Sequence, residues 1–127
     1  MKIDGIDHLV LTVRDVEATC AFYSRVLGME VVTFGNGLKA LRFGSQKINL
    51  HGAGKEFDPH AVQPTPGSGD LCLLTDQPLN RVIQHLRSCG ITIVEGPVRK
   101  AGAVGPIESV YVRDPDGNLI EISNAFP

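Results

Sequence analysis

Two kinds of hydrophobic pattern alternate along the chain. Alternating apolar and polar residues predict a half-buried strand over residues 6–13. Asp15 is suited to cap a helix that Gly28 ends, with apolar residues at helical spacing on one face: Val16, Cys20, Tyr23 and Leu27. Short runs of strand-type residues follow at 29–33, 40–43 and 47–51, separated by Gly and Asn turn signals. The first half of the chain therefore predicts a βαβββ unit.

The second half repeats this order. Residues 71–74 predict a strand, and a helix starting near Pro78 and ending at Gly90 has its apolar face at Leu79, Val82, Ile83 and Leu86. Strands are predicted at 91–95, 109–113 and 119–123. Sliding the chain on itself by 62 residues places Leu9 on Leu71 and Gly28 on Gly90 without a gap. The pattern indicates a duplicated unit.

The predicted organisation is one α+β domain over residues 1–127. Module one covers about residues 4–51, a connector rich in Gly and Pro covers 52–69, and module two covers 70–124. The mixed sheets of the two modules are expected to curve around a cavity. Residues 96–106, also rich in Gly and Pro, are predicted to form a long loop and are a candidate lid.

Composition narrows the class of partner. With 127 residues, 43% of them hydrophobic, the chain can bury one core. Its net charge is −2 and its basic residues are scattered, which argues against nucleic acid or an anionic membrane and favours a small molecule. We expect no signal segment, because acidic residues interrupt the apolar residues near Met1. No apolar run is long enough to span a bilayer, and the three cysteines form no paired motif. We expect a cytoplasmic protein with reduced thiols.

Two ligand-type residues occupy matching places in the repeat. The offset that aligns the modules puts His8 opposite Asp70, each at the start of its module's first strand. In the last strand of module two, LIEIS, Glu121 points away from the face of its apolar neighbours. A carboxylate in a sheet needs a cation, a hydrogen-bond network or an exposed face. The turn DPDG before this strand, with Gly117 suited to a positive φ, sets the register that aims Glu121.

The matching strand of module one, KINLH, offers two counterparts of Glu121. Asn49 and His51 are two residues apart and share a face. Turn lengths differ between the modules, so the alignment leaves both open. We prefer His51 because neutral imidazole is a better metal ligand than a carboxamide.

These residues form a mixed nitrogen and oxygen donor set: His8, His51, Asp70 and Glu121. Such a set suits a divalent ion such as Zn, Ni, Mn, Fe or Co and leaves coordination positions open. Cys72 follows Asp70 by two residues and is expected on the same face, as a buried inert thiol rather than a nucleophile.

Two stretches at opposite ends of the chain resemble a known family. The first, IDHLVLTVRDVEATCAFYSRVLGMEVV, and the last, VYVRDPDGNLIEIS, are similar to the opening and the ending of vicinal-oxygen-chelate proteins, the glyoxalase, dioxygenase and bleomycin-resistance superfamily. The segments FGSQKINLHGAGKEF and GSGDLCLLTD resemble the subgroup typified by glyoxalase-domain-containing protein five and its bacterial relatives. The resemblance matches His8 and Glu121 directly to metal positions of the family. Asp70 departs from the second histidine that the dioxygenases and fosfomycin-resistance enzymes carry.

The resemblance implies a function as well as a fold. It implies a homodimer with a divalent ion that acts as a Lewis acid on a small oxygen-chelating substrate, in an isomerase or lyase reaction with Glu121 as the base. Dioxygenase activity and thiol transfer to an epoxide are less favoured alternatives. The chief rival from another class is a drug-binding protein that needs no metal, as in the bleomycin-binding members. The pairing of His8 with Glu121 argues against that rival.

Overall fold

The computed structural model describes residues 1–126 and divides them into two compact units, Met1–Gly67 and a second unit from Ser68 onward. Ten elements follow in order: β1 (His8–Val13), α1 (Val16–Arg25), β2 (Glu30–Phe34), β3 (Leu38–Phe43), β4 (Gln46–Gly52), β5 (Asp70–Leu74), α2 (Leu79–Ser88), β6 (Glu95–Ala101), β7 (Pro106–Arg113) and β8 (Leu119–Ala125). Each unit has the order βαβββ, which confirms the predicted repeat and the α+β class.

Unit one is a four-stranded sheet with one helix. The strand order is β1-β4-β3-β2, with β1 and β4 parallel and the other neighbours antiparallel. Asp15 caps α1 as predicted, because its Oδ1 accepts a hydrogen bond from the backbone N–H of Ala18 at 3.0 Å. The helix packs on β2, β3 and β4 and forms the core with them. Its buried apolar side chains are those of Cys20, Phe22 and Tyr23, against Leu11, Val13, Leu41, Ile48 and Leu50 from the sheet.

Unit two repeats the topology with the order β5-β8-β7-β6. Again the first and last strands of the unit, β5 and β8, are parallel neighbours. The helix α2 packs on β7, and its buried Leu79 and Leu86 belong to the core of this unit. From the sheet this core receives the buried side chains of Val110, Val112, Ile120 and Ile122. No helix among residues 1–126 has the length and hydrophobicity that crossing a membrane requires.

The sixth strand differs from its prediction. The strand predicted at 91–95 starts only at Glu95, and the predicted lid at 96–106 is largely the strand β6, paired antiparallel with β7. The pairing register shifts between Glu95 and Val98, which accommodates Gly96 and Pro97. Because β6 is at the edge of its sheet, a proline without an N–H is tolerated there. The prediction of a lid was therefore wrong.

Candidate functional site

One face of the sheet in unit two carries a set of polar side chains around Glu121. Glu121 lies in the interior strand β8, directly opposite Cys72 on β5 and Tyr111 on β7. Side chains that pair across neighbouring strands point to the same side of a sheet. Val110, Val112, Ile120 and Ile122, in the alternate positions, form the core with α2. The polar face of unit two is therefore the face opposite α2. Its side chains include those of Cys72, Ser109, Tyr111, Glu121 and Ser123.

Hydrogen bonds connect four of these side chains. The hydroxyl of Ser109 donates to Oε2 of Glu121 at 2.6 Å. The same Ser109 oxygen lies 2.7 Å from the hydroxyl oxygen of Ser123, which in turn lies 3.2 Å from the sulfur of Cys72. Both serines are completely buried. This network explains why the sheet tolerates a half-buried carboxylate. Glu121 accepts a charge-assisted hydrogen bond from the buried hydroxyl of Ser109.

Tyr111 is the second group that interacts with the Glu121 carboxylate. Burial, the charge of Glu121 and a hydrogen bond to Glu121 raise the pKa of the Tyr111 phenol to about 12, with a smaller contribution from Glu95. The Lys100 ammonium lies 5.7 Å from the centre of the Tyr111 ring and 3.6 Å from Oε2 of Glu95. At neutral pH the phenol is therefore protonated, and its O–H is the donor in the hydrogen bond with Glu121.

We expect the Tyr111 phenol to ionise near pH 12, from its pKa of about 12, and Glu121→Gln to lower that value toward the ordinary 10.0. In that variant the pKa of Tyr111 should stay above 10.0, because burial, the largest cause of the shift, remains. Ultraviolet absorbance of tyrosinate, taken as the difference from Tyr111→Phe, isolates this group from Tyr23. The pKa of Tyr111 is higher in the folded protein than in the unfolded chain, so its protonated phenol stabilises the fold. This contribution to the free energy of unfolding is fully present below pH 10 and is lost as the pH rises to about 12. A wild-type midpoint at pH 10 would contradict the assignment.

Cys72 lies on the polar face, as the sequence predicted, but its residue is exposed rather than buried. Partial desolvation of the sulfur raises the pKa of the Cys72 thiol, and a hydrogen bond with the Ser123 hydroxyl lowers it. The charge of Glu121 and a hydrogen bond to Glu121 both raise it again. The net direction is upward. The thiol form therefore predominates at neutral pH, which makes Cys72 a poor nucleophile.

A tight turn delivers β8, and with it Glu121, to this face. The buried carboxylate of Asp114 accepts hydrogen bonds from the backbone N–H groups of Asp116 and Asn118, at 2.9 and 3.0 Å, and from the Asn118 side-chain amide at 2.8 Å. The amide oxygen of Asn118 accepts from the N–H of Gly69 at 2.7 Å, just before β5. Gly117 has the predicted positive φ, 87°. The DPDGN motif thus fixes where β8 starts relative to β5.

In unit one, two polar residues of β4 lie on the face away from the helix. Asn49 and His51 are more than nine-tenths buried, at 8% and 5% exposure. Within the described part of the chain, neither the side-chain oxygen of Asn49 nor Nδ1 of His51 has a hydrogen-bond partner. The His51 ring is 5.6 Å from the ring of Phe57, centre to centre. Buried polar atoms of this kind have the capacity to bind a ligand or a water molecule.

Strand register shows which of these two corresponds to Glu121. His8 pairs with Lys47, so Asn49 is two residues further along the neighbouring strand. In unit two Asp70 pairs with Leu119, so Glu121 is likewise two residues further along. Asn49 is therefore the counterpart of Glu121.

His51, which the sequence argument preferred, occupies a different position. It pairs with Thr12, four residues or roughly 13 Å along the strand from His8. Its equivalent in unit two is Ser123, which is four residues beyond Leu119. The preference for His51 as the counterpart of Glu121 was therefore wrong.

The predicted ligands form pairs rather than a complete cluster. His8 is exposed, with Nδ1 2.8 Å from Oδ1 of Asp7, and Asp70 is exposed at the start of β5. Register places His8 diagonally from Asn49, and Asp70 diagonally from Glu121. Among residues 1–126, no three His, Cys, Asp or Glu side chains come together in a group that could hold a metal ion.

Close relatives cover almost the whole chain. The Virulence protein STM3117 of Salmonella typhimurium is 59% identical over 123 residues, which are 97% of this chain and 85% of that protein. Its crystal structure matches with a TM-score of 0.98 at 58% identity, covering 99% of this chain and 100% of the other. The Glyoxalase domain-containing protein RDO1 of Mycosarcoma maydis is 56% identical over 124 residues, 98% of this chain and 70% of that protein.

A more distant relative carries an enzyme name. Lactoylglutathione lyase GLX1 of Arabidopsis thaliana is 27% identical over 135 aligned residues, which cover 94% of this chain and 44% of that protein. Residues 5–122 match the family model described as the Glyoxalase/Bleomycin resistance protein/Dioxygenase superfamily. The match includes His8, Asn49, Asp70 and Glu121. The chain belongs to the Glyoxalase/Bleomycin resistance protein/Dioxygenase superfamily.

Proposed function

We propose that this protein is a metal-dependent lyase or isomerase of the superfamily, with His8, Asp70 and Glu121 as ligands of one divalent ion. The observation that supports this best is the repeated register. In each unit a ligand-type residue begins the first strand. A polar residue of the last strand lies two positions beyond the residue that pairs with it. Duplicated placement of His8 with Asn49, and of Asp70 with Glu121, is hard to explain by sheet stability alone.

The donor chemistry of these residues fits such an ion. Imidazole and carboxylate suit a borderline divalent cation, and the carboxamide oxygen of Asn49 is a weaker fourth donor than the imidazole of His51 would have been. Among residues 1–126 the buried side-chain oxygen of Asn49 has no hydrogen-bond partner, so it is available for that role. A bound ion would supply Lewis-acid polarisation of two adjacent substrate oxygens.

The chain's own groups define the proton chemistry. Ser109 holds Oε2 of Glu121 in place, and the Glu121 carboxylate is the group that would accept a proton from a substrate carbon next to a carbonyl and return it to the neighbouring position. The Tyr111 phenol stays protonated at neutral pH and keeps a neutral donor beside that carboxylate. This proton transfer is the step that an isomerase or a lyase of glyoxalase type requires.

The test is metal content together with turnover. We expect protein purified without added ions to contain about one divalent ion per site and to convert methylglyoxal-thiol adducts. Substitutions His8→Ala and Glu121→Gln should each weaken metal binding more than the roughly tenfold to hundredfold typical of outer hydrogen-bond partners. Matched controls are His85→Ala on α2 and Glu108→Gln, a β7 residue in the register of the opposite face.

The outcomes separate the two classes of function. Full metal occupancy in both variants would refute the ligand assignment. Tight binding of an oxygen-rich drug such as bleomycin by a protein with neither metal nor turnover would show the metal-independent binding function instead.

We also propose that the protein works as a homodimer whose assembly is coupled to metal binding. An ion that binds only the assembled form stabilises it by mass action, by about 2.7 kcal/mol at a hundred times its dissociation constant. We expect sedimentation to show a dimer that weakens when a chelator is added. Mixing His8→Ala chains with Glu121→Gln chains should restore metal binding if each ion takes ligands from two chains. Lack of recovery after confirmed subunit exchange would rule out shared ligands.

A further inference from the structure

We propose that Asn49, His51 and Phe57 of unit one form a binding site for a neutral molecule that carries a hydroxyl next to an apolar group. The hydroxyl bonds to the two buried side chains of β4, and the apolar group packs on Phe57. The site uses no ion and is therefore independent of the proposed function. In the ion-free protein the carboxamide oxygen of Asn49 is available to the hydroxyl.

The two polar side chains share one face of β4. Ile48 and Leu50, in the alternate positions, are buried in the core that α1 covers, so Asn49 and His51 point to the other side of the sheet. There they are 8% and 5% exposed. Residues two apart on a strand are separated by roughly 6 to 7 Å, so one small molecule can contact both.

The neighbouring strands leave these polar atoms unpaired. Val10 on β1 and Ala40 on β3 flank Asn49, and neither has a polar side-chain atom. Thr12 lies opposite His51 on β1. In the described part of the chain, however, neither Oδ1 of Asn49 nor Nδ1 of His51 has a hydrogen-bond partner. Because buried polar groups without a partner lower the stability of a fold, two of them on one face indicate a role in binding.

The unpaired atoms select the functional group of the ligand. The side-chain oxygen of Asn49 only accepts, so the ligand must donate a hydrogen, which a carboxylate cannot do. Nδ1 of His51 donates in one neutral tautomer and accepts in the other. A hydroxyl both donates and accepts, so it suits either tautomer, whereas an ammonium group only donates. A neutral hydroxyl also avoids the cost of burying a charge.

Phe57 provides the apolar side of this site. Its ring centre is 5.6 Å from that of His51, and the two ring planes are tilted by 57°. The ring follows a turn after β4, in which the N–H of Lys55 donates to the carbonyl of Gly52 at 2.9 Å. Because Phe57 is 44% exposed, its side chain can move aside and admit a ligand to the buried atoms. An aromatic group beside the hydroxyl matches this ring.

The first experiment titrates benzyl alcohol into the protein in the presence of a chelator. Carbon–proton NMR spectra follow the ring signals of His51, which are identified by their absence in His51→Leu. We expect these signals to shift saturably, and those of the exposed His85 on α2 to stay in place. Toluene, which lacks the hydroxyl, and benzyl methyl ether, which accepts but cannot donate, should bind roughly fivefold to hundredfold more weakly. Equal affinity for the alcohol and the ether, or no saturable shift with the alcohol, would overturn the proposal.

The second experiment separates a binding role of His51 from a structural one. His51→Leu removes a buried polar atom without a partner, so its thermal midpoint should equal or exceed that of the wild type. Its affinity for benzyl alcohol, measured by calorimetry, should fall roughly fivefold to hundredfold. His85→Leu, the matched control, should leave the affinity unchanged. A His51→Leu protein that is less stable and binds benzyl alcohol like the wild type would show a structural role and overturn the proposal.

Phe57→Ala tests the apolar side of the site and does not depend on His51→Leu being folded. The Phe57 residue is exposed, so the fold should tolerate its truncation. Loss of the apolar contact should weaken the binding of benzyl alcohol severalfold, because the hydrogen bonds to β4 remain. An affinity equal to that of the wild type would contradict the assigned site. Since every titration contains a chelator, the result stands whether or not the protein binds a divalent ion.

Discussion

Alanine at position 96 should lower the free energy of unfolding by about 2 to 5 kcal/mol, from overpacking and left-handed backbone strain together. A Cβ on Gly96 would lie 2.4 Å from the carbonyl oxygen of Ser109 and 3.0 Å from Cα of Val110. These are backbone atoms of β7 and cannot move aside alone. The φ of Gly96 is also +109°, a region that L side chains rarely adopt.

Gly90→Ala is the matched control for this substitution. Gly90 also has a positive φ, +75°, but a Cβ there would meet no atom within 4 Å. Its substitution should therefore cost only the conformational part, about 1 to 2 kcal/mol. Urea denaturation of both variants gives the difference, which is the cost of the contact with β7. Equal destabilisation would show that β6 shifts away from β7 without penalty.

Asp114→Ala should destabilise the protein by about 3 kcal/mol or more, since each orphaned buried group costs about 1 to 3 kcal/mol. The substitution removes the acceptor for two backbone N–H groups and for the Asn118 amide, which is buried. Since this turn sets the start of β8, affinity for the proposed ion should fall together with stability. Thermal unfolding and Co²⁺ titration of the same samples measure both.

The exposed carboxylate of Asp76, in the same unit, provides the control. Asp76→Ala should change the free energy of unfolding by less than about 0.5 kcal/mol, as surface substitutions usually do. Asp114→Asn keeps one carbonyl acceptor, so its destabilisation should lie between those of Asp114→Ala and Asp76→Ala. An Asp114→Ala protein as stable as Asp76→Ala would mean that Gly117 alone is sufficient for the turn.

The elements that local chemistry determines were predictable from the sequence. The Asp15 cap and the helix-ending glycines, Gly28 and Gly90, are all observed, and both glycines have a positive φ. The strand β6 was missed because Gly96 and Pro97 are typical of loops. An edge strand needs hydrogen bonds on one side only, and pairing with β7, which no local pattern reveals, decides its conformation.

The candidate site shows the same limit. Asn49 and His51 could not be distinguished, because two residues separate β3 from β4 while the five-residue DPDGN turn separates β7 from β8. Because the turns before β4 and β8 differ in length, counting residues from the turns does not align β4 with β8. Ser109 and Ser123 went unnoticed because serines in strands are common, and only the pairing of Ser109 with Ser123 brings both beside Glu121. Glu121 itself was identifiable, since a carboxylate between two isoleucines has to be accommodated.

The parallel pairing of the first and last strands has a consequence during synthesis on the ribosome. In its sheet β5 pairs with β8 alone, and Asp70 is made well before its partner Leu119. Until β8 emerges, the apolar positions Leu71 and Leu73 have no strand beside them, and unit one has the same delay between β1 and β4. Such non-local pairing is slow and leaves hydrophobic surface exposed. We therefore expect the first strand of each unit to be the segment that a chaperone binds on the nascent chain.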